Sequence, residues 1–213
     1  MKRQILSTAI IAFMFTACSF KVPDVLSFES GDKYEGPLKE ANICQKMERD
    51  NDKLACYKKI ENTNSFAQLR LGTYYADKKD YKNATKYLNM AKENGNIYAN
   101  LPISFLYYKG DGVNKDINRS FELLNESSSV DPVAAYQLSR FYLQGINTKV
   151  DVEKGIELLD FAGQKGVRQA QDMLSNIYKT GLFDQPKDKV KYEFWQNKLK
   201  NNVEDNNHKI YVL

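Results

Sequence analysis

The stretch Ala134-Ala135-Tyr136-Gln137-Leu138-Ser139-Arg140-Phe141-Tyr142-Leu143-Gln144-Gly145 decides the fold. Ala134, Leu138 and Tyr142 are spaced four apart, so an α-helix puts all three on one face. Gly145 then stands where a residue of left-handed conformation would end that helix. The pattern recurs along the chain. Its alanines, Ala67, Ala99, Ala134 and Ala170, lie 32, 35 and 36 residues apart. Leu71, Ile103, Leu138 and Leu174 follow at the fourth position, small residues (Gly72, Ser104, Ser139, Ser175) come next, and Tyr75, Tyr107, Tyr142 and Tyr178 follow at the eighth. Gly110, Gly145 and Gly181 close the last three copies.

A second helix follows in each unit. Asp116-x-x-Arg119-Ser120-x-x-Leu123, Asp151-x-x-Lys154-Gly155-x-x-Leu158 and Asp188-x-x-Lys191-Tyr192-x-x-Trp195 share a leading aspartate suited to cap a helix N-terminus. Ser120 and Gly155 permit close helix contact, and Tyr192 replaces the small residue in the last copy. Gly95, Asp131-Pro132 and Gly166 break the chain before the next unit. A period of 32 to 36 residues with two helices each predicts an all-α solenoid of stacked antiparallel helix pairs.

The run Tyr107-Tyr108-Lys109-Gly110-Asp111-Gly112-Val113-Asn114-Lys115-Asp116 resembles the signature loop of Sel-one-like repeats, relatives of tetratricopeptide repeats. The resemblance covers residues 63–200. The first unit departs from it with a shortened loop at Ala76 to Asp80, and Gly112-Val113 is not repeated later. Terminal repeats of a solenoid need a polar outer face. Residues 38–62 are therefore expected to form a capping hairpin, Leu38 to Met47 and Asp52 to Glu61, stapled by Cys44 and Cys56. Residues 201–213 form a tail. Its polar part precedes Ile210-Tyr211-Val212-Leu213, expected to dock on the last helix unless it serves a partner.

The N-terminus carries a targeting pattern. Lys2 and Arg3 precede an apolar run, Ile5 to Phe15, too short to span a membrane and ending in small residues. Phe15-Thr16-Ala17-Cys18 resembles the lipobox of bacterial lipoproteins, with Phe15 where the family usually has Leu. The resemblance implies a signal peptide over residues 1–17, lipidation of Cys18, and, from Ser19, sorting to the periplasmic face of the outer membrane. An ordinary secretory signal is the alternative. Residues 18–37, with Val22-Pro23 and Gly36-Pro37, read as a tether. In an oxidising compartment Cys44 and Cys56 are expected to be bonded, two free thiols being the other possibility.

Charge and chemistry narrow the function. The formal net charge of +4 includes Lys2 and Arg3 and is too small to suggest nucleic-acid binding. The one histidine, His208, lies in the polar tail with no nucleophile or carboxylate pair placed around it. Asp111 to Asp116 lacks the spacing and closing glutamate of a calcium loop. No catalytic motif occurs, so no enzyme, metal, cofactor or small-molecule substrate is expected. Cysteine-rich relatives associated with β-lactam hydrolysis carry a cysteine pair per repeat, and the repeats from Ala67 onward have none.

A protein partner is expected instead, on the concave face that the first helix of each unit lines in such solenoids. Positions two, three and six after each alanine point away from the 0, 4, 8 core. They comprise Leu69, Arg70 and Thr73; Leu101, Pro102 and Phe105; Tyr136, Gln137 and Arg140; and Asp172, Met173 and Asn176. Tyrosine and arginine are frequent binding anchors, which singles out Phe105, Tyr108, Tyr136 and Arg140. Small lipoproteins with such repeats resemble immunity proteins that neutralise type VI secreted effectors, notably phospholipases. The resemblance therefore implies a secreted toxin as partner, with an envelope or motility scaffold as the alternative.

Overall fold

The structure is a computed structural model that describes residues 34–201 and 207–213. The signal pattern, Cys18 and the tether up to residue 33 lie outside the described residues, as does the polar run 202–206. Tyr34–Leu213 form one compact unit. Its helices are α1 (Glu35–Gln45), α2 (Asp50–Ile60), α3 (Ser65–Asp77), α4 (Tyr81–Glu93), α5 (Asn100–Lys109), α6 (Ile117–Ser127), α7 (Pro132–Gln144), α8 (Val152–Gln164), α9 (Arg168–Thr180) and α10 (Lys189–Asn201). No strand occurs among the described residues.

The helices pair as α3 with α4, α5 with α6, α7 with α8 and α9 with α10, and α8 packs on α9 and α6 on α7 between units. The expected seam is present. Ala67, Ala99, Ala134 and Ala170 are fully buried, as are Leu71 and Leu174, with Leu138 and Ile103 nearly so. Tyr178 is buried, whereas Tyr75, Tyr107 and Tyr142 are half-buried at the edge of the seam. Tyr75 stacks on Tyr87 of α4 at 5.6 Å, and Lys58 of α2 sits over both rings.

Local chemistry sets the helix ends. Gly110, Gly145 and Gly181 hold φ of 82°, 67° and 82°, and their N–H groups donate to the Leu106, Phe141 and Ile177 carbonyls to close α5, α7 and α9. In the first unit Lys79, at φ 60°, takes this left-handed place, which accounts for the short loop. Asp80, Asp116, Asp151 and Asp188 accept from the backbone N–H of Asn83, Arg119, Lys154 and Lys191 and cap α4, α6, α8 and α10. The aspartate signature thus extends to the first unit, where Asp80-x-x-Asn83-Ala84 carries it with Ala84 fully buried.

Close helix contact occurs where a side chain is missing. A Cβ on Gly72 would lie 2.6 Å from the Leu88 side chain, and one on Gly155 2.6 Å from that of Leu143. The N-terminal hairpin is α1 and α2 joined by the Cys44–Cys56 disulfide. Closing a loop of 12 residues removes chain entropy worth about 2–3 kcal/mol. Its first helix begins at Glu35, ahead of the expected Leu38, because Pro37 falls in the first turn, where its missing N–H costs no intrahelical bond.

Candidate functional site

The first helices of the units, α3, α5, α7 and α9, present the face expected to hold a partner, but its residues divide into two groups. Phe105 and Tyr108 are exposed, each at 37%. Arg140, Asp172 and Asn176 are also exposed. Tyr108 leans edge-on against Phe141 of the next unit at 5.8 Å, and Arg140 donates to Gln137 at 3.0 Å. Phe105, Arg140 and Asn176 occupy the same register position in successive units, so they form a strip along the solenoid. Tyr136 is half-buried against the core.

Leu69, Arg70 and Leu101 are not exposed. Leu69 is fully buried, Arg70 is 1% exposed and Leu101 is 3% exposed. Thr73 is half-buried. Arg70 and Thr73 are covered by the C-terminal segment, which docks not on the last helix but against α1, α3 and the start of α7. Gln45 Nε2 donates to the Lys209 and Val212 carbonyls, each at 3.0 Å. Arg70 Nη2 and Nε donate to the Lys209 and Ile210 carbonyls, each at 3.2 Å, and Thr73 Oγ1 donates to the Tyr211 carbonyl at 2.5 Å. The Tyr211 hydroxyl donates to the Asp131 carboxylate, and its ring meets Tyr98 edge-on at 6.4 Å.

Two buried polar groups hold this arrangement. Arg70 also donates to Tyr57 Oη at 3.2 Å and Asn42 Oδ1 at 2.6 Å, and among the described residues it forms no ion pair. Burial lowers its pKa and raises that of Tyr57. Asp131, 1% exposed, caps α7 by accepting from the Val133 N–H at 2.9 Å. Burial pushes its carboxyl up to about 6 despite the hydrogen bonds it accepts from Tyr211, Val133 and Ala134. Burial and the adjacent carboxylate hold the Tyr211 hydroxyl well above the usual tyrosine range.

A pH dependence follows. The folded carboxyl of Asp131 keeps its proton to higher pH than an unfolded aspartate, so its contribution to stability is fully present below about pH 4 and is lost as pH rises through about 6. Thermal unfolding at about pH 4.5 and 7 should show this contribution in the parent chain. Asp131→Asn keeps a capping oxygen and an acceptor for Tyr211, and should flatten that difference; an unchanged pH profile would contradict the assignment.

Among the described residues no group of three or more His, Cys, Asp or Glu could hold a metal ion. No helix there is long and apolar enough to cross a membrane. A surface hollow of about 740 Å³ beside the disulfide is an open depression, lined by Met47, Arg49, Asp52 and Lys59 among others. What the geometry offers is an extended face of helices with backbone-reading donors at one end and exposed aromatic and charged groups along the rest.

The Sel1 repeat family matches residues 65–96, 99–129, 132–167 and 168–191, more than half the chain and in register with the four helix pairs. The chain belongs to the Sel1 repeat family. Its fold is shared with a Sel1 repeat protein from Oxalobacter formigenes, at 27% identity and a TM-score of 0.67 over 85% of this chain and 79% of that one. It is also similar to c5321, a protective antigen present in uropathogenic Escherichia coli strains, at 20% identity and a TM-score of 0.60 over 79% of this chain but only 38% of that one. The immunity protein Pa5087 from Pseudomonas aeruginosa matches at 18% identity and a TM-score of 0.58, over 79% and 68% of the two chains. Comparison with curated proteins finds no match.

Sel1 repeats form a protein-interaction fold, and this chain carries one such array. The sequence pattern located the seam, the caps and the exposed strip. It missed Gln45, Tyr98 and Asp131 as parts of the face. Asp131 was legible only as a helix break; its burial beside a tyrosine 80 residues later had no local signal.

Proposed function

We propose that this Sel1 repeat protein is a lipid-anchored binder at the periplasmic face of the outer membrane that neutralises a secreted toxin, most specifically a phospholipase-type type VI effector, by occluding it sterically. The observation that carries the reading is the exposed strip Phe105, Tyr108 and Arg140, continued by Asp172 and Asn176, on the face that solenoids use for protein partners. Support for the compartment comes from the leader and its resemblance to a lipobox, and from the Cys44–Cys56 disulfide, which suits an oxidising environment. A lipid at Cys18 would hold the binder where an enzyme that attacks membrane lipid must work. Pa5087, which shares the fold, is itself called an immunity protein.

The test has a cellular and a molecular arm. Deletion of the gene should sensitise cells to the cognate toxin in competition, and a chain with Cys18→Ala should protect poorly. Phe105→Ala with Arg140→Ala removes two exposed groups while leaving the seam untouched. It should retain the helical signal and weaken partner binding tenfold or more, equivalent to about 1.4 kcal/mol. Cells indifferent to deletion, together with a stable envelope complex under all growth conditions, would favour a scaffold role instead.

A further inference from the structure

The docked C-terminal segment has the features of a ligand seated in a built site. We propose that the groove between α1, α3 and the start of α7 is a seat for a short peptide segment bearing a tyrosine flanked by aliphatic residues. The chain's own Lys209–Leu213 is its resident occupant, and a partner's segment of the same chemistry displaces it.

The main chain is read without regard to sequence. The four consecutive carbonyls from Lys209 to Val212 are all met by side-chain donors from Gln45, Arg70 or Thr73. Such contacts would hold any segment of similar path. One side chain is read specifically: Tyr211, through the Asp131 carboxylate and the Tyr98 ring. A tyrosine is therefore selected over phenylalanine, because a buried carboxylate left without its donor is costly.

The groove is also matched to its occupant. Arg70 and Asp131 are each 1% exposed, and two of the four acceptors of Arg70 belong to the segment. The docked segment contributes to this burial and supplies partners that a buried guanidinium and a buried carboxylate need. Nothing about these groups demands that the segment be covalently attached. Thr73 stands at the register position of Phe105, Arg140 and Asn176, which makes the seat continuous with the exposed strip. A partner bound along the strip therefore reaches the seat, and its second contact lets it compete with a tethered segment, whose advantage is an effective concentration in the millimolar range.

This inference rests on the reading of the helix face as the partner's seat, and it names the chemistry recognised at one end. A fluorescent peptide Lys-Ile-Tyr-Val-Leu, corresponding to residues 209–213, tests it by anisotropy on the full chain. Tyr211→Ala loosens the resident segment and should bind the peptide at least tenfold more tightly than the parent chain. Its affinity for Lys-Ile-Phe-Val-Leu should be at least tenfold weaker, and adding Asp131→Asn should shrink that preference. Tyr211→Phe, a milder change that preserves packing, should give an intermediate gain.

Equal affinity for the parent, Tyr211→Phe and Tyr211→Ala chains would overturn the proposal. So would indifference to the peptide's tyrosine, or a full-length dimer in sizing experiments that Tyr211→Ala converts to monomer, since the segment would then be exchanged between copies. The peptide experiment needs no toxin. Its failure leaves the immunity reading standing, and failure of protection in cells leaves the peptide result intact.

Discussion

Arg70→Ala is expected to lower stability by about 4 kcal/mol and to release the C-terminal segment. The guanidinium is fully enclosed, and its four hydrogen bonds tie α1 through Asn42, α2 through Tyr57, and the C-terminal segment through Lys209 and Ile210. Truncation removes the donors to Asn42, Tyr57 and Ile210, leaves the Lys209 carbonyl with Gln45 alone, and opens a cavity beside Tyr57. Lysine is a poor substitute, because one ammonium cannot reproduce a planar fork aimed at oxygens on three segments. Arg70→Lys should therefore recover less than half of the loss. Denaturant unfolding gives the stability, and the rate at which carboxypeptidase removes residues 211–213 reports the release. A loss under about 1 kcal/mol with the segment still resistant to digestion would show that Arg70 does not hold it.

That buried arginine also marks the boundary of what the sequence discloses. The seam was legible because Ala67, Ala99, Ala134 and Ala170 repeat a local chemistry with a fixed spacing, and helix periodicity alone converts it into a face. The caps were legible for the same reason: an aspartate or glycine acts on residues three or four positions away. Arg70 and Thr73 lie on that helix at outward positions, where a charged or hydroxylated side chain is ordinarily solvated. Their burial depends on carbonyls about 140 residues later in the chain. No pattern within a repeat encodes such a pairing, and the apolar segment Ile210 to Leu213 carries no address for its docking site.

The same logic separates the exposed residues of the face. Phe105, Arg140 and Asn176 stay exposed, whereas the hydrogen bonds of the segment fall on Gln45, Arg70, Thr73 and Asp131. Tyr136, one turn into α7, is instead drawn toward the core by its own bulk. A strip that is polar in one unit and aromatic in another offers varied contacts on a rigid support, which favours specificity for one partner surface over general stickiness.

Trp195→Ala is expected to cost about 3–5 kcal/mol, with the damage concentrated at the C-terminal end of the array. Among the thirteen residues of α10 Trp195 alone is buried, at 2% exposure. Its ring fills the space above Gly163 of α8, where a Cβ would come within 2.8 Å of it, and completes the cluster containing Leu174. The other ties of α10 are more exposed: Tyr192 packs at the edge of the cluster, Lys191 sits over the Tyr178 ring, Gln196 donates to Ser175 Oγ at 2.6 Å and Arg168 donates to the Leu199 carbonyl at 3.3 Å. None of these replaces a buried indole. Because each unit of a solenoid is stabilised mainly by its neighbours, loss of this anchor should unfold α10 and loosen α9 while the pairs from α3 to α6 and the docked Tyr211 remain protected. Residue-resolved hydrogen exchange distinguishes that outcome from a uniform fall in protection across all ten helices, which would mean that the repeats melt as one cooperative block. Trp195→Phe, which keeps most of the apolar volume, should restore the greater part of α10 protection.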